Sequence, residues 1–216
     1  MIRRVIFDID NTLIPWEEEY YNEIKNVLDE LNVEYTEQDY IEIKKAFGEY
    51  ENKYYTFDRK VMMEYINNYT KKNYPEEFIY KITKKWEKCV PEKIDENILK
   101  LLEYLKTKYE LVILTDWYED QQSERLQKID ILKYFEKVYS AENTKRKPFK
   151  EAFMQALGDN KSEECIMIGD NFERDIKGAL NAGLQAIWYN PNNKTETTKD
   201  IEYYEISSLK EVNKII

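Results

Sequence analysis

Val5-Ile6-Phe7 is an apolar, strand-forming run near the start of the chain, and no second run of that kind follows until Leu111-Val112-Ile113-Leu114. A strand left alone cannot satisfy its backbone N–H and C=O groups. Val5–Phe7 must therefore pair with strands drawn from the distant half of the chain. Whatever lies between is an excursion from one core.

The excursion reads as helical throughout. Trp16, Tyr20, Ile24, Val27, Leu28 and Leu31 recur at three- and four-residue steps and form one apolar stripe. Thr36 with Asp39 has the form of a helix start, followed by a stripe of Tyr40, Ile43, Phe47, Tyr50 and Tyr54. A third stripe runs through Val61, Met62, Tyr65, Ile66 and Tyr69. A fourth opens at Pro75 and carries Phe78, Ile82, Trp86 and Cys89 before Pro91. Gly48 interrupts the second stripe, where it costs helix stability, so it is expected to mark a loop or a close approach near a substrate.

From Asp95 onward, helical patterns alternate with continuous apolar runs. Leu111–Leu114, Lys137–Ser140, Cys165–Ile168 and Gln185–Trp188 read as strands, with helices before, between and after them. Uninterrupted apolar strands alternating with helices predict a parallel sheet covered on both faces. The expected fold is α/β: a Rossmann-like parallel-sheet core covered by helices, with an inserted all-helical domain, a four-helix bundle. Residues 1–14 and 93–216 form the core, and 15–92 form the insertion. Asn190–Asp200 reads as a polar loop.

At 216 residues and 42% hydrophobic, the chain can build one sizeable core with a smaller lobe. A net charge of -10 argues against general binding to nucleic acid or a membrane surface, which needs a basic footprint. No apolar run approaches the roughly 20 residues that span a bilayer, and no signal segment precedes the first strand. Cys89 and Cys165 both fall in apolar surroundings, as expected of free thiols in a reducing compartment. A soluble, cytoplasmic protein is expected, and its oligomeric state stays open. The chain has 0 histidines, which excludes a His base, a Ser-His-Asp or Cys-His triad and every His-ligated metal site.

The chemistry must come from carboxylates, hydroxyls and amines, and these gather where the strands end. Asp8, Asp10 and Thr12 follow Val5–Phe7, Thr115 and Asp116 follow Leu111–Leu114, and Gly169, Asp170 and Asp175 follow Cys165–Ile168. Lys147-Pro148 opens a helix between the last two. The carboxyl ends of parallel strands are where open α/β sheets bind ligands. For Asp8 and Asp10 to serve one site, the chain must turn away from the sheet between them. Alone, an Asp after a strand more often starts a turn. Together the clusters outweigh that reading.

In this order the clusters resemble the motifs of the haloacid dehalogenase superfamily of phosphatases and related hydrolases. Its Asp-x-Asp-x-Thr motif is matched by Asp8, Asp10 and Thr12, its strand-ending Thr by Thr115, its Lys by Lys147, and its Gly-Asp-x-x-x-x-Asp by Gly169, Asp170 and Asp175. The resemblance implies a Mg²⁺-dependent phosphomonoesterase acting on a small phosphorylated metabolite such as a nucleotide or sugar phosphate. Asp8 is the candidate nucleophile, forming an aspartyl phosphate. Asp10 would protonate the leaving alkoxide and then deprotonate the attacking water. By the same resemblance Asp8, Asp170 and the Asp10 carbonyl would hold Mg²⁺, a hard ion suited to oxygen ligands. Thr115 and Lys147 would bind the phosphoryl oxygens. Thr12 supports the first motif. Asp175 would orient Lys147 or a metal-bound water, or simply cap the next helix.

Lys145 and Arg146 are expected to be solvated. Many relatives carry Asn where this chain has Asp116, a carboxylate that must point away from the phosphate or pair with a cation. The inserted bundle sits where this family places a helical cap, which would exclude water and reach the leaving group. Trp16, Tyr20, Phe47, Gly48, Glu49, Trp117 and Tyr118 are candidate lining residues, although Trp16 and Tyr20 fit a core role better. Asp10 argues against the dehalogenase branches, which lack an acid there. Two alternatives stand beside the phosphatase: a phosphomutase, which would need a cap histidine absent here, and a non-catalytic phospho-ligand-binding module.

Overall fold

The computed structural model describes residues 1–142, 144–196 and 201–216. In chain order it forms β1 (Arg4–Phe7), α1 (Glu23–Glu30), α2 (Glu37–Lys53), α3 (Arg59–Thr70) and α4 (Glu77–Trp86). There follow α5 (Glu96–Lys106), β2 (Glu110–Leu114), α6 (Glu119–Lys128), β3 (Val138–Tyr139) and α7 (Lys150–Ala156). The described chain ends with β4 (Cys165–Gly169), α8 (Gly178–Asn181), β5 (Gln185–Tyr189) and β6 (Tyr204–Ile206). It divides into two compact units, residues 1–15 with 90–216, and residues 16–89.

The first unit is a parallel six-stranded sheet in the order β3-β2-β1-β4-β5-β6. Alternate side chains of the strands point to opposite faces. Val5, Phe7, Ile113 and Ile168 meet Leu101, Leu102 and Leu105 of α5 and Leu126 of α6 on one side. Ile6, Val112, Leu114 and Met167 meet Phe153 of α7 and Ala179 of α8 on the other. Both faces are covered, which is why these strands lack a polar alternate.

β1 lies centrally, and the strand order reverses there: β2 adds on one side and β4 on the other. Phe7 is level with Ile113 on β2 and with Ile168 on β4. That register brings the residues just past each strand, Asp8, Thr115 and Asp170, to one edge of the sheet, at the switch point where such sheets bind ligands. The chain then leaves the sheet in a tight turn. The N–H groups of Thr12, Leu13 and Ile14 all donate to the Ile9 carbonyl, and Asn11 takes a left-handed φ of 63°. Asn tolerates that conformation, and the turn frees Asp10 from the strand.

The second unit consists of α1 to α4. Thr36 and Asp39 form a reciprocal capping box at the start of α2. Phe47 and Trp86 pack edge to face with ring centroids 5.0 Å apart, and Trp16 packs on Trp86 at 5.5 Å, so Trp16 serves the bundle's interior. Two expectations are corrected here. The first stripe is not one helix from Trp16: Glu18–Asn22 winds as a 3₁₀ segment before α1 begins, with no side chain capping it. Gly48 marks no loop; it lies inside α2, exposed, with open space where a Cβ would sit. The capping box and apolar stripe together outweigh a single Gly, which costs about 1 kcal/mol relative to Ala.

Cys89 and Cys165 are buried free thiols. No helix of the described residues is long and apolar enough to cross a membrane. β6 is absent from the sequence reading, and of the expected loop Asn190–Asp200 the last four residues lie outside those described.

Candidate active site

Asp8 is held by both of its oxygens. Lys147 Nζ donates to Oδ1 at 2.6 Å and Thr12 Oγ1 donates to Oδ2 at 3.1 Å. Lys147 is also 2.7 Å from Asp175 Oδ1, so one buried ammonium bridges two carboxylates. Asp175 sits in a wide π-type turn, Phe172–Lys177, whose start is capped by the Asn171 side chain. Such turns are rare and favour functional sites. Its second oxygen accepts from the Asn171 N–H at 3.0 Å. Gly169 allows this approach: a Cβ there would lie 2.3 Å from Asp175 Oδ2.

Oxygens of Asp8, Asp170 and Asp175 lie within 4.8 Å of one another. Burial raises the Asp8 carboxyl well above the usual carboxylate range, with Asp175 and Asp10 adding to the rise and Lys147 opposing it. Asp170 is pushed up to about 6, by burial first and then by Asp175. Burial alone would lower the Lys147 pKa, but Asp175, Asp8 and Asp116 outweigh it and hold the ammonium firmly charged. Carboxylates thus outnumber cations in a buried pocket, which is unfavourable without a further positive charge. The donors are all oxygens. This set fits a hard divalent cation.

Asp116 is resolved by the structure. Its Oδ1 accepts the Lys147 backbone N–H at 2.9 Å and its Oδ2 is 3.5 Å from Arg174 Nη1. It therefore holds the lysine loop in place and faces a cation. Burial still raises its pKa, offset in part by Lys147 and Arg174. Arg146 corrects an expectation: it is buried, with Nη1 donating to the Lys147 carbonyl at 3.1 Å. Lys145 pairs with Glu151 at the surface. Tyr118 is fully buried, and Trp117 is half-buried.

Asp10 stands apart from the carboxylate cluster. Its side chain turns to α6, where Arg125 Nη1 donates to Oδ1 at 2.5 Å and Gln122 Nε2 donates to Oδ2 at 2.7 Å. Gln122 also reaches Thr115 Oγ1 at 3.2 Å. The sequence reading missed Gln122 and Arg125. A signal was available: α6 follows a strand end yet offers only Leu126 as a buried apolar side chain, so its inner face must bury polar groups. A cleft of about 440 Å³ opens beside Asp170, lined in part by Asn11, Thr12, Leu13, Tyr189 and Lys194.

A carboxylate fixed by a lysine and a hydroxyl, a second carboxylate on a separate tether and a cluster of oxygen donors on a parallel sheet define a class of hydrolase site. The sequence profile of the haloacid dehalogenase-like hydrolases matches residues 5–189, and the chain belongs to that family. Pyrimidine 5′-nucleotidase PynA of Streptococcus pneumoniae is 32% identical over 108 residues, 48% of this chain and 46% of that protein. N-acylneuraminate-9-phosphatase of Rattus norvegicus is 30% identical over 124 residues, 55% of this chain and 50% of that protein. The chain spans about half the length of the curated relatives it matches. The magnesium-bound HAD-hydrolase YfnB of Bacillus subtilis shares the fold, with a TM-score of 0.76, 22% identity, and coverage of 99% of this chain and 98% of that one.

Proposed function

We propose that the protein is a Mg²⁺-dependent phosphomonoesterase that works through an aspartyl phosphate on Asp8. The observation that carries this reading is the approach of Asp8, Asp170 and Asp175 oxygens to within 4.8 Å of one another, with the Lys147 ammonium bridging Asp8 and Asp175. In the first step an Asp8 oxygen attacks phosphorus and the ester P–O bond breaks. Asp10 passes a proton to the departing alkoxide. In the second step water attacks the acyl phosphate, Asp10 takes a proton from it, and Asp8 is released with inorganic phosphate.

Lys147 and Thr115 stabilise the equatorial oxygens as charge builds on them. Asp8 and Asp170, with the Asp10 carbonyl, would hold a hard cation, which when bound would supply the positive charge that an anionic nucleophile facing an anionic substrate needs. Asp175 and Asp116 keep Lys147 in place. Thr12 keeps Asp8 in its attacking orientation. The cleft beside Asp170 has the size of a small-ligand site and takes the non-phosphate part of the substrate. The relatives act on a pyrimidine nucleotide and a sugar phosphate, and this chain's substrate is read as a small metabolite of one of those classes. Residues 16–89 are read as the cap of this enzyme.

The test is hydrolysis of an aryl phosphate with Mg²⁺, with chelator, and in Asp8→Asn, followed by a panel of phosphorylated nucleosides and sugars. Turnover that needs both Mg²⁺ and Asp8 supports the reading. Turnover that survives in Asp8→Asn contradicts it, and a folded protein inactive throughout points to a binding module.

A further inference from the structure

Two side chains of α6, Gln122 and Arg125, are fully buried at the site, and neither belongs to the clusters that the proposed chemistry uses. Arg125 Nη1 donates to Asp10 Oδ1 at 2.5 Å and to Gln122 Oε1 at 2.8 Å. A guanidinium has donors only. The Gln122 oxygen must therefore face Arg125, and its amide N–H groups must face the other way. There they meet Asp10 Oδ2 at 2.7 Å and Thr115 Oγ1 at 3.2 Å. Thr115 Oγ1 also accepts the Trp117 backbone N–H at 3.3 Å.

A hydroxyl has two lone pairs and one proton. With both lone pairs of Thr115 taken by N–H donors, its hydroxyl is fixed as a donor aimed elsewhere. Asp10 is held by both oxygens, while its side chain remains 22% exposed. A carboxylate offers about four lone-pair sites, so the two contacts leave room for the proton it must carry.

We propose that Gln122 and Arg125 are positioning residues for the reaction. They fix the Asp10 carboxyl where the leaving oxygen departs, and Gln122 at the same time commits the Thr115 hydroxyl to donate to the transferring phosphoryl group. One amide thereby couples proton transfer to phosphoryl binding. This rests on the phosphatase reading above.

Leaving-group dependence tests it. An alkyl ester such as β-glycerophosphate needs its leaving oxygen protonated, whereas 2,4-dinitrophenyl phosphate expels a stable phenolate without help. In Arg125→Met, kcat/KM for the alkyl ester should fall by roughly 10²-fold or more, the scale of acid–base catalysis, with the dinitrophenyl ester within about threefold of wild type. Arg125→Lys, which keeps a donor and the charge, should recover part of the loss. Gln122→Met should show the same selectivity together with a smaller loss on both esters and weaker inhibition by inorganic phosphate.

Circular dichroism and melting temperature establish that each variant is folded. Should Arg125→Met fail to fold, Gln122→Met, which removes no charge, carries the comparison. Equal losses on both esters in folded variants, or no loss, would overturn the positioning role and leave the phosphatase intact. A wild-type enzyme that hydrolyses neither ester with Mg²⁺ would overturn the phosphatase reading and the positioning role with it.

Discussion

Gly169 is a glycine because of what stands opposite it. The Asp175 carboxylate occupies the space of a Cβ, with Oδ2 at 2.3 Å and Cγ at 2.4 Å. Gly169→Ala should push Asp175 aside, loosen its bridge to Lys147 and lower kcat/KM by about 10²-fold, as misplacement near 1 Å can do. Steady-state kinetics on an aryl phosphate, with a melting curve as the folding control, checks this.

Asp170 makes a second residue-scale prediction. Its carboxyl, pushed up to about 6, must lose its proton before it can ligate a cation. Mg²⁺ affinity should weaken as the pH falls through that value, by about tenfold per unit for each competing proton, and Asp8, whose carboxyl pKa burial also raises, adds a second. Calorimetric titration at pH 7.5, 6 and 5 reads this directly. An affinity flat across that range contradicts a role for Asp170 as ligand.

At the scale of elements, α2 illustrates how local signals compete. Thr36 and Asp39 cap it reciprocally, and Lys72 with the Thr36 groups holds the Asp39 carboxyl down to about 2. Gly48 in its exposed interior meets nothing. Gly48→Ala should stabilise the protein by about 0.5–1 kcal/mol and Thr36→Ala should cost about 1 kcal/mol, both measurable by denaturant unfolding.

The parts of the fold carried by periodicity were legible in the sequence. That Val5–Phe7 joins the sheet built by the distant half of the chain followed from its need for partners, though not its central place there, and the alternating helices and apolar runs after Asp95 gave the parallel sheet. β6 was not legible, because Tyr204-Glu205-Ile206 has too short an apolar pattern to stand out. Gln122 and Arg125 left only an indirect trace, a helix after a strand end with Leu126 as its one apolar side chain, because polar side chains on a polar helix otherwise read as solvated. Arg146 failed in the same way: a run of cations looks like a surface until a carbonyl is found for the buried one. The carboxylates at the strand ends were legible, being polar groups set directly after apolar runs. Their mutual distances were not, because those depend on register between strands far apart in the chain.

At the scale of the whole molecule, stability and function meet in the same carboxylates. Asp170 has a carboxyl pKa raised by folding, so ionising it opposes folding: stability without metal should fall as pH rises from about 4 to about 6. A bound divalent cation relieves that opposition and adds its own binding free energy. Mg²⁺ at 100 times its dissociation constant should contribute about 2.7 kcal/mol. For a chain of this length that is a rise of several degrees in melting temperature. The rise should be clear at pH 7.5 and shrink towards pH 5. Equal shifts at both pH values would place the ion elsewhere.

The central claim is that Asp8 carries the phosphoryl group in transit. Enzyme mixed with substrate and Mg²⁺, quenched in acid, reduced with borohydride and mapped by peptide mass spectrometry tests it most directly. Conversion of residue 8 to homoserine, dependent on substrate and Mg²⁺, is the result expected. Steady turnover with residue 8 unmodified, or with the label on another carboxylate, would contradict the account.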